Sequence, residues 1–260
     1  MLQYLHEVIK RKDLMIYLVT SGLKAQHRNS YLGYFWWLLD PLLGVGIYYF
    51  LMVILLGRGD NPGYGGFLVV GMIVWRWLSS TVNASAKSIV RQAGIISKVY
   101  LPKSIFPLGT AISQLINFFF GLIIIFIYII ASRTAVGINL VWLPLIILVQ
   151  FLFLVSISMI VAYLCVFVRD IDNIIGHVMR LWFYASPVIW EGSRLAGTKY
   201  AWLVKINPMS AILTSYRNIL LYNSAPELKK LALIGLFSLI LMVILFYFYH
   251  RYEHKIIKAL

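Results

Sequence analysis

The chain has 260 residues, of which 61% are hydrophobic and only 12% charged, and its net charge at pH 7 is +14. This apolar share exceeds that of an ordinary soluble domain, so the excess must face lipid, which excludes a soluble enzyme. The basic residues lie in short stretches between hydrophobic segments, where the positive-inside rule accounts for them, so we expect no nucleic-acid partner. We predict an all-α, multi-pass protein of the cytoplasmic membrane with a single transmembrane domain over residues 1–260.

Residues 1–30 are expected to be cytoplasmic. The first residues, MLQYLHEVIKRKDL, lack the apolar core and small-residue cleavage site of a signal peptide. Over residues 13–25, apolar side chains recur at helical spacing, and Asp13 is a candidate N-cap. Polar positions interrupt the apolar ones. The pattern predicts an amphipathic helix along the cytoplasmic membrane surface, and a frayed tail is the alternative.

Five long apolar segments are typical of transmembrane helices, and a sixth is shorter. The five cover residues 31–56, 67–86, 105–131, 140–168 and 231–250, and the sixth covers 174–190. A hydrocarbon core of about 30 Å needs about 20 helical residues, so the sixth segment crosses most of the core. We predict six transmembrane helices.

Charge placement predicts the orientation of these helices. Basic clusters lie before the first segment, after the second and after the last, and all three should be cytoplasmic. They comprise Lys10, Arg11, Lys12, Lys24 and Arg28, then Lys87, Arg91, Lys98 and Lys103, then Arg251, Lys255 and Lys258. Both chain ends are then cytoplasmic.

Residues 191–230, between the fifth and sixth predicted helices, are apolar but interrupted by Asn207-Pro208 and Arg217. We predict short re-entrant helices on the outer side, because broken backbone at membrane depth is tolerated where protein or water satisfies it. A seventh full span is the alternative. It is disfavoured because it would place the basic C-terminus outside.

We find no motif for covalent chemistry. The sequence has neither a G-x-x-x-x-G-K-[ST] loop nor a G-x-G-x-x-G turn after a strand, and His177 has no Gly-flanked serine to activate. Asp170 and Asp172 are a weak candidate for a metal, and the single Cys165 offers neither a disulfide nor a metal cluster. We therefore expect no catalytic residue, metal or cofactor in this chain.

Two ionisable residues lie well inside predicted helices. Arg76 falls near the middle of the second, where an unpaired arginine costs roughly 2.5 to 3.5 kcal/mol on insertion scales. Asp40 in the first helix lies at a similar depth, about 14 to 16 Å from the cytoplasmic end. We predict that the two side chains are in contact. The alternative is that each faces a cavity alone or snorkels.

Aromatic residues make up 15% of the chain, and many suit the membrane interfaces. Others lie where a pore could run, and flat apolar faces with polar rims suit the passage of sugar rings. The candidate channel aromatics are Trp36, Trp37, Tyr48, Phe119, Trp182 and Tyr184.

A series of short motifs follows the chain. They are Leu23-Lys24 and His27-Arg28 before Ser30-Tyr31-Leu32-Gly33, Trp37 and Asp40-Pro41; Lys98-Val99-Tyr100-Leu101-Pro102-Lys103 before Phe106-Pro107-Leu108; Val168-Arg169-Asp170; Ser186-Pro187-Val188-Ile189-Trp190; and Asn207-Pro208 before Tyr216-Arg217. In this order and spacing the chain resembles the membrane subunit of ABC-2 type polysaccharide exporters, which handle O-antigen, capsule and teichoic-acid polymers. Two positions depart from the family pattern: Asp40 stands where Asn is common, and Arg76 where no charge is expected.

The resemblance implies a homodimer in the bacterial inner membrane, joined to two copies of a separate ATPase subunit that would bind ATP and Mg. A lipid-linked polysaccharide would pass between the two membrane subunits. ATP binding would push on the membrane subunits, and rigid-body rotation would open a channel. The short helices between residues 190 and 221 would line the outer exit.

The resemblance also assigns roles to cytoplasmic segments. Residues 87–103 would contain a coupling helix seated on the ATPase, with Lys87, Arg91, Ile95, Lys98, Tyr100 and Pro102 as its candidate residues. The 13–25 helix would gate the pore entrance, with Asp13, Leu14, Leu18, Lys24 and Arg28 as its candidates, and Arg169 and Asp170 would form a cytoplasmic turn. Independently, helical spacing from Ile89 to Val99 and the stop at Pro102 favour a helix, and a solvated basic loop is the alternative.

Three other functions compete with polysaccharide export. The same scaffold also exports drugs or small lipids. An intramembrane lipid-sugar transferase would need paired carboxylates, for which only the segment Arg169-Asp170-Ile171-Asp172 qualifies. A scaffold protein would not explain the costly charge at Arg76.

Overall fold

The computed structural model describes residues 2–26, 31–57, 63–96, 101–135, 137–195 and 197–260. Within these residues the chain is helical and contains no strand, which confirms the predicted all-α class. Five helical segments are long and apolar enough to cross a membrane, as predicted: Trp36–Leu55, Tyr64–Ala86, Ile105–Ala131, Ile138–Phe167 and Leu228–Arg251.

The N-terminal helices are α1 (Leu2–Lys10) and α2 (Lys12–Gln26). Helical hydrogen bonding continues across the junction, because the amide of Arg11 donates to the carbonyl of Glu7 and the amide of Met15 donates to that of Arg11. The predicted N-cap is wrong. Asp13 lies inside the first turn of α2, where its carboxylate is close to the positive end of the helix dipole.

The remaining helices follow in chain order. They are α3 (Trp36–Tyr49), extended by a π-helical stretch (Phe50–Leu55); α4 (Tyr64–Ala86); a 3-10 turn (Val90–Gln92) leading into α5 (Ala93–Ile96); α6 (Ile105–Ala131); α7 (Leu143–Phe167), preceded by a 3-10 turn (Ile138–Trp142); α8 (Ile171–Ala185); α9 (Ala201–Ile206); α10 (Pro208–Leu220); α11 (Leu228–Arg251); and α12 (Glu253–Ala259).

Helix α4 is at the centre of the core. It packs against α3, α6, α7, α8 and α10, and Leu68, Val74 and Leu78 along its length are fully buried. On α7, the buried amide of Gln150 donates to the carbonyl of Val74 at 3.3 Å, which satisfies a polar group that would be costly in an apolar core. Helices α3 and α11 are the least buried of the five apolar segments, so their outer faces are available to lipid or to another subunit.

A second, smaller cluster joins both ends of the chain. The Tyr4 hydroxyl lies 3.1 Å from the Ser104 hydroxyl, and the Tyr249 hydroxyl donates to the Met159 carbonyl at 2.8 Å. Between them, Lys103 at the start of α6 forms a buried ion pair with Glu253 of α12, with 2.9 Å between Nζ and Oε1. The two chain ends therefore lie at the same end of the helix bundle.

Helix α8 runs beside α4. Near its start, Asp172 pairs with Lys87 at the end of α4, and after its last residue the carbonyl of Ile189 accepts a hydrogen bond from Tyr64 at the start of α4. The helix itself has 15 residues, about 22 Å, so the non-helical residues 186–190 complete the distance.

Candidate functional site

An intramembrane ion pair joins α3 to α4. The Arg76 guanidinium contacts the Asp40 carboxylate, and Nη1 of Arg76 lies 3.5 Å from the Asp40 carbonyl oxygen. The contact predicted from the matched depths of the two residues is thus confirmed. Their side chains remain 44% and 55% exposed, because the pair lies in the wall of open cavities and not in the protein core.

Two cavities meet at this ion pair. The first, of about 290 Å³, lies between α3, α4 and α6, and its lining includes Trp36, Trp37, Asp40, Arg76, Gln114 and Asn117. The second, of about 510 Å³, lies between α3, α4 and α8, and its lining includes Tyr48, Arg76, Ser79, Arg180 and Tyr184. Both are bordered by Arg76 and Ser80. Polar and aromatic side chains are therefore combined in the surroundings of the pair.

A third cavity, of about 420 Å³, lies between α2, the end of α4 and the first turns of α6. It shares Gln114 with the first cavity. Polar residues follow one side of α6 from this cavity to the first, namely Thr110, Ser113, Gln114 and Asn117. A polar surface thus extends from beneath α2 to the Asp40–Arg76 pair.

The six aromatic candidates divide into three groups. Trp36, Trp37, Tyr48 and Tyr184 line the two cavities beside the ion pair. Trp182 instead packs edge-to-face against Trp75, with ring centroids 5.9 Å apart, and its indole N–H donates to the Asn207 side-chain oxygen at 3.0 Å. Phe119 is 48% exposed and lines none of these three cavities.

Sequence reasoning missed the polar lining of the cavities. Ser80, Gln114, Asn117 and Arg180 were not among the predicted site residues, although they border the cavities that surround the ion pair. The signal was present in α6, where polar residues recur every three or four positions in an otherwise apolar helix. Such spacing places them on one face.

The predicted coupling segment is only partly helical where it is described. It contains the 3-10 turn Val90–Gln92 and the short α5, while Lys98 and Tyr100 lie outside the described residues. Ile89 and Ile96 are buried in the smaller cluster, and Pro102 is also buried. Arg91 and Ile95 are exposed. Lys87 is engaged by Asp172. Arg91 and Ile95 are therefore the candidates whose side chains are presented outward.

The candidate gate helix packs against α6 along one side. Leu14 and Leu18 are partly buried there, and Leu18 borders the third cavity, whereas Asp13 and Lys24 are exposed. Arg28 lies outside the described residues. One face of α2 is thus bound to the helix bundle and the opposite face is open.

The Arg169-Asp170 turn connects α7 to α8. Both residues are exposed, and the Asp170 carbonyl accepts hydrogen bonds from the amides of Asn173 and Ile174 at 3.1 Å, which begins α8. In the described parts of the chain, the structure contains no group of three metal-ligating side chains, here or elsewhere.

These features define a polytopic helical membrane protein with a polar, aromatic-lined cavity system. Residues 14–221 match the family described as ABC-2 type transporter, and the chain belongs to this family. The resemblance predicted from the sequence motifs is thereby confirmed.

Curated relatives extend the comparison to nearly the full length of the chain. It is 28% identical to the O-antigen export system permease protein RfbA of Myxococcus xanthus over 243 residues, which cover 93% of each chain. It is also 26% identical to a protein of the same name from Klebsiella pneumoniae over 249 residues, 95% of each chain.

Proposed function

We propose that this chain is the permease subunit of an ATP-driven exporter that moves a surface polysaccharide of the O-antigen type across the bacterial inner membrane. The observation that carries the proposal is similarity to O-antigen export permeases over more than nine-tenths of the chain. The cavities around Asp40 and Arg76 support it, because aromatic faces and polar side chains together suit contact with sugar rings.

We propose six crossings, with α8 and the residues after it forming the fifth. The positions of both ends of α8 support this topology, because its start lies beside the end of α4 and the residues after it reach the start of α4. The joint packing of α1 and α12 at one end of the bundle supports an even number of crossings. The basic clusters favour the cytoplasm for that end.

We propose a homodimer whose two copies together enclose the polymer path. The support is the exposure of the Asp40–Arg76 pair, about half of each side chain, at the depth of the hydrocarbon core. Charged groups facing acyl chains would be costly, so a second copy or a water-filled channel must cover them. A polymer path at the dimer interface would provide both the second copy and the water-filled channel.

We propose that residues 87–103 couple the permease to a separate ATPase subunit that binds ATP and Mg. Burial of Ile89 and Ile96 supports this, because these side chains pack the segment against the helix bundle while Arg91 and Ile95 stay exposed. A push on such a segment would be transmitted to α4 and α6 as a rigid-body movement. Helix α2, resting on α6 beside the third cavity, is suitably placed to gate the cytoplasmic entrance.

The experiment that tests the function is purification of this chain with the ATPase encoded beside its gene, followed by reconstitution in liposomes. We expect ATP hydrolysis that rises when the lipid-linked polysaccharide of the host is added, and no hydrolysis by the permease alone. Hydrolysis by the isolated chain, or labelling of Lys258 from outside the cell, would contradict the proposal.

A further inference from the structure

The break at the end of α8 exposes backbone carbonyls in an apolar environment. The last turn of a helix has carbonyl groups without partners in the helix itself, and in a membrane protein each such group must be satisfied internally. Here the chain turns away at Ser186-Pro187, since proline has no amide hydrogen to donate and its ring opposes continuation. In the last turn of α8, the Tyr184 carbonyl accepts from the Trp190 indole N–H at 3.1 Å and the Ala185 carbonyl accepts from Asn207 Nδ2 at 3.4 Å.

Arg217 of α10 supplies donors to the carbonyls just beyond the helix. Its Nη1 donates to the Pro187 carbonyl at 2.6 Å and its Nη2 to the Val188 carbonyl at 2.8 Å. From α4, the Phe67 carbonyl accepts from Nη2 at 3.1 Å and from Nε at 3.3 Å. All three guanidinium nitrogens are therefore engaged by backbone oxygens of two other segments.

The burial of Arg217 makes these contacts strong. The residue is only 4% exposed, and its guanidinium carbon lies 3.3 Å from the centroid of the Phe67 ring. A cation over an aromatic face is favoured electrostatically. Backbone dipoles and an aromatic ring thus stabilise this charge.

Neighbouring contacts join the same three segments. The Asn207 side chain accepts the amide of Met209 at the start of α10 and donates to the Ser186 hydroxyl at 2.8 Å. Tyr64 of α4 donates to the Ile189 carbonyl at 2.7 Å. Around Arg217, the ends of α4, α8 and α10 are therefore connected by polar contacts as well as by apolar packing.

The adjoining residues 192–206 are different. Ser193, Arg194 and Trp202 in this segment are exposed, whereas most of α10 is buried between α4, α7 and α11. None of the three cavities beside α3, α4 and α6 is bordered by α10.

We propose that Arg217 is a positioning residue that holds the chain segment after the broken end of α8 and fixes α10 to this segment and to α4 as one rigid unit. This unit stays assembled throughout transport, and any movement of the outer surface falls on the exposed residues within 192–195 and 197–206. The inference rests on the proposed function only where it concerns the transport cycle.

Thiol labelling tests this proposal. In a Cys165→Ser background, Ser215→Cys places a thiol on the buried side of α10, and Ser193→Cys is the matched control in the exposed segment. A membrane-impermeant maleimide is added to cells carrying the complete export system. The partner ATPase is either active or inactivated in its own catalytic site.

With Arg217 present, we expect the thiol at position 215 to react at least about tenfold more slowly than that at 193, whether or not the ATPase is active. Arg217→Gln should raise reactivity at 215 towards the control rate. Arg217→Lys, which retains a charge and three donors, should restore much of the protection. Only correctly inserted protein that elutes as a folded peak is scored, so loss of material is not mistaken for opening.

Two results would overturn the proposal: rapid labelling at position 215 during transport in the Arg217 parent, or labelling at 215 in Arg217→Gln that is as slow as in the parent. The comparison of Arg217→Gln with its parent uses the inactive ATPase, so it remains decisive even if the chain exports something other than a polysaccharide.

Discussion

Arg76 and Arg217 both lie in apolar stretches of the sequence, and the fold treats them in opposite ways. Arg217 is 4% exposed, and backbone carbonyls and an aromatic ring satisfy it. The Arg76 side chain is 44% exposed and is paired with Asp40 at the junction of two cavities. The same side chain is thus a fixed part of the core in one region and part of a cavity wall in the other.

The comparison shows how the surroundings of a charge determine its role. A guanidinium has five N–H donors, and Arg217 donates hydrogen bonds to three carbonyl oxygens at distances of 2.6 to 3.3 Å. In the described part of the chain, Arg76 donates only to Asp40 and its side chain lines both cavities. We therefore expect changes at Arg217 to alter stability and changes at Arg76 to alter transport.

The largest effect is expected from Arg217→Met. The Pro187 and Val188 carbonyls lose their Arg217 donors, and at about 1 to 3 kcal/mol each the free energy of unfolding should fall by about 2 kcal/mol or more. Thermal unfolding of the detergent-purified protein measures this. The exposed Arg194→Met is the control and should leave the midpoint unchanged. Equal midpoints for the two variants would remove the distinction between buried and exposed arginines.

A smaller loss is expected from Gly71→Ala, which crowds the same unit while leaving every charged residue in place. A Cβ at this position would contact Nη2 of Arg217 and lie 2.6 Å from the Val188 carbonyl oxygen, and such crowding costs about 1 to 3 kcal/mol. At the control position, Gly235→Ala, the nearest atom is 3.6 Å away, so alanine should be tolerated or slightly stabilising. The same unfolding measurement applies. A stable Gly71→Ala would indicate that the 186–190 segment is free to shift.

At the other arginine, Asp40→Asn should change stability by less than about 1 kcal/mol, because the pair is half exposed. Export should nevertheless fall, since the cation at Arg76 is left without its carboxylate in the cavity wall. The double variant Asp40→Asn with Arg76→Gln removes both charges and should recover part of the export. Gel analysis of surface polysaccharide is the readout. Normal export by Asp40→Asn alone would exclude the pair from the polymer path.

The smallest effect on stability is expected from Arg91→Glu, a third arginine that lies outside the membrane segments and is exposed. The free energy of unfolding of this variant should change by no more than about 0.5 kcal/mol. If residues 87–103 dock on the ATPase, the reversed charge should abolish polysaccharide-stimulated hydrolysis. Lys258→Glu, an exposed reversal on α12 at the same end of the bundle, is the control. Intact coupling in Arg91→Glu would argue against docking through this residue.

Features set by local sequence were predicted well. The five long apolar helices follow from the length and composition that lipid requires of a spanning helix. The Asp40–Arg76 contact followed from equal depths in two consecutive helices, because chain neighbours in a membrane usually pack together.

Features that depend on distant partners were missed or remained open. Asp13 has the residue type of an N-cap, but the helix begins one residue earlier because hydrogen bonding continues from α1. Trp182 is an aromatic residue at a predicted channel position, yet its ring packs against Trp75 and its indole N–H donates to Asn207. The order of the six crossings, the gate and the coupling helix stay predictions.

The sequence by itself determined that the chain is a helical membrane protein of the ABC-2 type, since hydrophobic length, charge placement and motif order are all properties of consecutive residues. Only the tertiary structure decided that Arg217 holds the segment after α8 while Arg76 borders a cavity. The reason is physical: the free energy of a charge in an apolar environment depends on the dipoles and carboxylates around it, and these come from segments up to 150 residues away along the chain.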